Sequence, residues 1–236
     1  MTEDRIGKEH YDSSGYFEGE AARHLIDPES AFQRYRIAKV SELAEPRSGD
    51  RVVDLGSGWG TFELALADRV GEIVGVDFSQ RAIDLCKSRL AERPKPNVRF
   101  VCADAAATGL ASAAYDLVIA ADLFEHLYPA DSARVAAEAF RLLAPGGRIA
   151  AWTPHRGHVL EILKNRDIVL RRDVTHVDYK SMTAMKRLLS DAGFTIERAY
   201  YAESHVPALS VIERMFQSFV PPLRRRIAVL GGKRGS

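Results

Sequence analysis

The ten residues Arg51 to Gly60, RVVDLGSGWG, constrain this chain more than any other stretch. Val52, Val53 and Leu55 make a short apolar run suited to a strand covered on both faces. Gly56, Gly58 and Gly60 follow, where a strand-to-helix turn must bring backbone close to a ligand. Asp54 stands just before that turn. A carboxylate there repels a pyrophosphate and welcomes a cationic amino group, and the spacing also differs from the GxGxxG of a dinucleotide fingerprint.

The rest of the chain alternates in the way such a start demands. A helix over 31 to 44 ends at the Pro46 and Gly49 punctuation, and a second, 61 to 70, follows the glycine loop. Strand 2, Glu72 to Val76, closes at Asp77. Ser79 is placed to cap the helix Gln80 to Glu92, whose Ile83, Cys86 and Leu90 share a face. Asn97 to Cys102 and the almost wholly apolar Tyr115 to Ala121 supply strands 3 and 4. The helix 131 to 144 is expected to stop at Pro145-Gly146-Gly147 and turn into strand 5, Arg148 to Trp152. A long connection, 153 to 178, holds a short helix, Val159 to Asn165. A helix lined by Met185, Leu188, Leu189 and Ala192 then ends at Gly193 before a strand, Phe194 to Tyr201. Leu209, Ile212, Phe216 and Phe219 form an apolar stripe before a last strand, Arg226 to Gly231.

This order predicts an α/β fold: a doubly wound, mostly parallel seven-stranded sheet that binds ligand beyond the C-terminal strand ends. Residues 1–45 are expected to form an arm and first helix acting as a lid, with Tyr11, Tyr16, Phe17 and His24 available to cover a site. Residues 46–236 form the main domain, with insertions at about 153–178 and 205–225. The formal net charge of +1 gives no electrostatic footprint for nucleic acid. Cys86 and Cys102 form no CxxC pair and sit in apolar contexts typical of buried reduced thiols, which suits a cytoplasmic home. The charged N-terminus and the lack of an apolar run near the roughly 18 residues of a spanning helix give no sign of secretion or membrane insertion.

In order along the chain, VVDLGSGWG, VDFS, CADA, YDLVIAADLFEHL and LLAPGGRIAAWTP resemble the motif series of class I S-adenosylmethionine-dependent methyltransferases. The resemblance covers roughly 150 residues. It implies S-adenosyl-L-methionine as cofactor, with Asp54, Gly56, Ser57 and Gly58 at its methionine end and Asp77 at its ribose. Phe78 would pack on the adenine, Asp104 and the Ala105 backbone would meet its amino edge, and Ala121 would border the site from strand 4. The sulfonium is an activated electrophile, so the protein chiefly aligns and deprotonates the acceptor.

Asp122-x-x-Glu125-His126 follows strand 4, where the transferred methyl should lie. It is similar to the ExxEH segment of ubiquinone-pathway O-methyltransferases and small-RNA 2′-O-methyltransferases, with Asp in place of the first Glu. His176 stands where those families place another His. That likeness makes His126, His176 and Glu125 the candidate catalytic residues. Asp122, Glu125, His126 and His176 are also the candidate ligands of a divalent metal, although none is expected. Two further readings stay open: His126 as a metal-free base, and Glu125-His126 as a structural cap. His155 and His158 could face the same pocket from the long connection, although a loop histidine is more often solvated. The expected activity is methyl transfer to a small-molecule acceptor at oxygen, against alternatives of RNA, carbon or nitrogen methylation or noncatalytic cofactor binding. The stripe before Arg224-Arg225-Arg226 could line the acceptor site, pack on the sheet, or touch a membrane surface, and a homo-oligomer is allowed.

Overall fold

The computed structural model describes residues 6–13, 27–165 and 174–235. Tyr16, Phe17 and His24 lie outside them. The described elements, in chain order, begin with α1 (Lys8–Ser13), α2 (Ala31–Ala44), β1 (Arg51–Leu55), α3 (Thr61–Leu66), β2 (Glu72–Asp77), α4 (Gln80–Glu92), β3 (Val98–Cys102) and β4 (Tyr115–Ala121). A 3-10 turn (Phe124–His126) leads to α5 (Pro129–Leu142) and β5 (Leu143–Pro154). The chain continues as α6 (Val159–Asn165), α7 (Met182–Asp191), β6 (Thr195–Ala202), α8 (Pro207–Phe216) and β7 (Arg226–Gly232).

The seven strands form one sheet ordered β3-β2-β1-β4-β5-β7-β6. Pairing is parallel from β3 through β5, and β7 runs antiparallel to both β5 and β6. The strand order reverses between β1 and β4, so a crevice opens beyond their C-terminal ends. Asp54 sits there, in register with Gly75 of β2 and Ile119 of β4.

Alternate strand residues feed two cores. On one face Val52, Ile73, Leu117 and Trp152 pack with Val40 and Leu43 of α2, Phe62 of α3 and Ile83 of α4. On the other, Val53, Val74, Val118 and Ile149 pack with Val135 and Leu142 of α5 and Met185 of α7. Each large apolar side chain fully buried in this way stabilises the fold by about 1.5–3 kcal/mol. Ser79 caps α4 as the sequence suggests, its hydroxyl accepting from the Ala82 N–H at 3.2 Å.

Two local readings change. The helix α5 ends at Leu142, and β5 begins at once, with Leu143 paired to Tyr115 ahead of Pro145-Gly146-Gly147. Backbone bonds explain this: Gly146 N–H donates to the Lys233 carbonyl and Lys233 N–H to that of Gly147, while the Lys233 ammonium caps the Phe140 and Leu143 carbonyls. Cys86 is buried, but Cys102 is exposed because it ends β3 at the sheet edge. Among the described residues no helix is long and apolar enough to cross a membrane.

Candidate functional site

The turn after β1 is shaped by backbone conformation. Gly56 (φ 79°) and Gly60 (φ 69°) both occupy the left-handed region, and a Cβ at Gly60 would lie 3.0 Å from the Phe100 ring. Gly56 and Ser57 N–H groups donate to the Val76 carbonyl, which ties the loop to β2. Asp77 completes the tie, accepting from the Gly58 N–H at 3.0 Å and from the Ser79 N–H at 2.9 Å. Burial pushes the Asp77 carboxyl above its ordinary range while the Ser79 and Gly58 N–H groups pull it back. Asp54 and Asp77, distant along the chain, therefore stand near the ends of adjacent parallel strands.

Asp54 is buried, and burial pushes its carboxyl up to about 7. The Arg36 charge and the neighbouring Glu63 act against this rise, and the Asp77 charge adds to it. Neither oxygen of the buried Glu63 has a hydrogen-bond partner, and burial followed by the Asp54 charge pushes its carboxyl well above the ordinary range. Asp54 Oδ1 and Ser57 Oγ are also buried without a hydrogen-bond partner. Orphaned acceptors on a glycine cradle fit a ligand that brings hydrogen-bond donors and positive charge, as the methionine end of S-adenosylmethionine does.

Phe78 continues from Asp77 and meets the Tyr11 ring at 5.1 Å. Asp104 is well exposed, with Oδ1 accepting from the Ala106 N–H at 2.8 Å, so this acid shapes a turn at the rim. Ala105 beside it is half-buried, and Ala121 is buried at the end of β4.

Arg36 is the residue that motif reasoning missed. Projecting from α2, its Nε donates to Asp122 Oδ2 at 2.7 Å and its Nη2 to the Ala121 carbonyl at 2.9 Å, while its guanidinium lies 4.6 Å from the Phe62 ring centre. Arg226 of β7 pairs with Asp122 from the other side. Burial would raise the Asp122 carboxyl, but the charges of Arg226 and Arg36 outweigh it and hold the acid down at about 2. Asp122 thus belongs to a double ion pair. The four-residue metal set is corrected accordingly, because the group that converges is Glu125, His126 and His176, each offering an atom within 4.8 Å of the others. Asp122 also has φ 57°, a left-handed conformation uncommon for a residue with a side chain.

The two histidines are brought together by a strap. Residues 175 to 180 lie along the 3-10 turn: the Asp178 N–H donates to the Glu125 carbonyl, Lys180 Nζ to the Phe124 carbonyl, and His126 Nδ1 lies 3.1 Å from the Thr175 carbonyl. That last contact fixes a proton on Nδ1 of His126. The ring centres of His126 and His176 are 4.7 Å apart, edge to face. Tyr11 closes the site from α1, its hydroxyl 3.3 Å from His126 Nδ1. Glu125 is buried beneath, accepting from the Thr153 hydroxyl at 2.8 Å, and burial followed by the Asp122 charge pushes it up to about 8. Two imidazoles and a carboxyl are donors that Zn²⁺ uses, although Glu125 would first have to release its proton.

His155 and His158 depart from the solvated reading. His155 packs on Tyr201 with Nδ1 3.2 Å from the Arg224 carbonyl, and His158 is fully buried with Nε2 3.2 Å from Glu213 Oε1. Glu213 decides against one reading of α8, that it packs on the sheet through its apolar stripe. Its carboxylate is the buried group of that helix, whereas Ile212, Phe216 and Phe219 of the apolar stripe are 47%, 46% and 83% exposed.

Residues 52–147 match the family model described as a methyltransferase domain. A demethylmenaquinone methyltransferase of Thermus thermophilus is 36% identical over 118 residues, covering 49% of this chain and 52% of that protein. A ubiquinone biosynthesis O-methyltransferase of Coxiella burnetii is 31% identical over 133 residues, covering 56% and 53%. The chain spans about half the length of these curated relatives. Among solved structures, the PH0226 protein of Pyrococcus horikoshii superposes with a TM-score of 0.70 at 19% identity, covering 93% of this chain and 98% of that one, a likeness of fold.

Proposed function

We propose that this chain, whose residues 52–147 match a methyltransferase-domain family model, is a class I S-adenosylmethionine-dependent methyltransferase that transfers a methyl group to an oxygen of a small-molecule acceptor. The observation that carries the oxygen assignment is the convergence of Glu125, His126 and His176 within 4.8 Å beside the cofactor crevice. A hydroxyl nucleophile must lose a proton as it attacks, and an imidazole with its proton held on Nδ1 presents Nε2 to take it. The name of the Coxiella relative supports the same acceptor atom.

The cofactor, when bound, supplies an electrophilic methyl on sulfur. This chain's residues do the rest. Asp54 and the orphaned Ser57 hydroxyl receive the amino end, Asp77 faces the ribose, and Phe78 with the rim at Asp104 and Ala105 bounds the base. Arg36 is the group for the carboxylate end, since it lies among Asp54, Asp122 and the Ala121 carbonyl. Tyr11, joining Phe78 and His126, supports the N-terminal arm as a lid that excludes water from both halves of the site. No step requires a metal at Glu125, His126 and His176.

The cofactor half is tested by thermal shift. S-Adenosylmethionine or S-adenosylhomocysteine should raise Tm, by about 2.7 kcal/mol of added stability at a hundredfold excess over Kd, and NAD should not. A shift with NAD alone would falsify the assignment.

A further inference from the structure

The segment from Val206 to Arg224 lies at the end of the sheet that carries the crevice. β7 runs antiparallel to β5, and its first residue, Arg226, pairs with Pro154 at the C-terminal end of β5. The insertion that leads into β7 therefore opens on the side where the glycine turn and the histidine turn stand.

One buried group decides which way α8 faces. Glu213 has Oε1 3.2 Å from His158 Nε2 and accepts from the Ser204 N–H through Oε2, so its side of the helix is turned into the fold. At about 100° of rotation per residue, Val211 and Met215 lie about 200° from Glu213 around the helix axis. They are 54% and 63% exposed. Ile212 and Phe216 widen this face, and Phe219 and Val220 continue it past the helix end to Pro221 and Pro222. Large apolar side chains exposed this closely along one segment mark an interaction surface.

The charges around that surface have one sign. Glu213 is the only acid between Val206 and Arg224, and it is the buried anchor, so the exposed charges of the segment are arginines. Arg224 donates to the Gln217 and Ser218 carbonyls at 2.9 Å and 3.2 Å, which caps the helix end and neutralises nothing. Arg214 pairs with the largely buried Glu203 and is itself mostly exposed. Exposed Arg156 adjoins them, since His155 before it lies 3.2 Å from the Arg224 carbonyl.

An apolar helix face edged by arginines suits a bilayer with anionic headgroups: the apolar side chains enter the acyl boundary while the guanidinium groups stay at the phosphates. A second copy seated face to face would set arginines against arginines. A ring that stands out as far as Phe219 also enters fluid hydrocarbon without needing a matching pocket. We infer that the surface from Val206 to Arg224 docks on a membrane containing anionic phospholipid, with the crevice end of the sheet toward the bilayer. The inference requires no particular acceptor and stands whichever atom is methylated.

The test is cosedimentation of the full chain with vesicles. Phosphatidylcholine vesicles with about a quarter phosphatidylglycerol should carry the protein down, and all-phosphatidylcholine vesicles should bind it about tenfold or more weakly. M215D/F219D changes two side chains that the fold leaves in solvent. Its Tm without lipid should match wild type, while its binding to the anionic vesicles should fall about tenfold or more. V211E, on the same exposed face, provides the readout if the double variant does not fold. Raising salt from about 0.1 M to about 0.5 M should weaken wild-type binding by screening the headgroup attraction. Equal pelleting with both vesicle types, no pelleting with either, or pelleting unchanged in the folded variants would overturn the inference. A dimer in light scattering that M215D/F219D dissociates, with no vesicle binding, would assign the face to a second copy and overturn it as well.

Discussion

At the scale of single residues, charges buried around the cofactor crevice decide what the site accepts. Asp54 is held at about 7 by burial, far above its ordinary 3.8, so the ligand-free fold prefers it protonated. Its contribution to stability is complete below the unfolded value near 3.8 and is lost as pH rises through about 7. Tm of the ligand-free protein should therefore carry a downward component over that window that is missing in Asp54→Asn, as differential scanning fluorimetry across the pH range will check. S-Adenosylhomocysteine should recover part of the loss, because its cationic amino group offers the carboxylate a partner. The strand-end positions of Asp54 and Asp77 are legible in the sequence because each sits at a fixed place in a strand–turn–helix motif. Arg36 and Asp122 are not, being paired across 86 residues of chain. Asp122 reads as a metal candidate from its position alone, and only the two arginines around it show where its charge is spent. Glu63 carries no motif, and its electrostatic link to Asp54 comes entirely from what the fold sets beside it.

Elements were legible where periodicity and caps coincide. α2, α4, β4 and α6 have the bounds expected from the sequence, because Ser79 caps α4, Pro46 and Gly49 follow α2, and the apolar run of β4 is almost wholly buried. The failures have tertiary causes. Lys233 recruits residues after Leu142 into β5, and α8 turns inward on the pairing of Glu213 with His158 in place of its apolar stripe. The packing of α3 on β2 gives a direct test. A Cβ at Gly75 would lie 2.2 Å from Glu63 Oε1 and 2.6 Å from Phe100 Cδ1. Gly75→Ala must displace both, which costs about 1–3 kcal/mol. For a chain of this size that corresponds to a Tm lower by roughly 2–12 °C. An unchanged Tm would show that the Glu63 carboxyl moves away freely from its place beside Asp54.

At the scale of the whole molecule, one sheet organises both halves of the proposed reaction. The switch in strand order sets the glycine turn of β1 beside the histidine-bearing turn after β4, and α1 reaches across from Phe78 to His126. The placement of the glycine turn was readable because its motifs are local. The acceptor half needs the strap at 175–180 folded against the 3-10 turn, a contact between segments about fifty residues apart that no spacing rule encodes. The most direct measurement is incubation of the protein with ¹³C-methyl S-adenosylmethionine and a fractionated extract, followed by carbon NMR of each fraction. The expected result is a methoxy signal in the small-molecule fraction that falls about 10²- to 10⁴-fold in rate when His126→Gln removes the base. Label in RNA, in protein or on carbon, or bound cofactor with no transfer to any fraction, would contradict it.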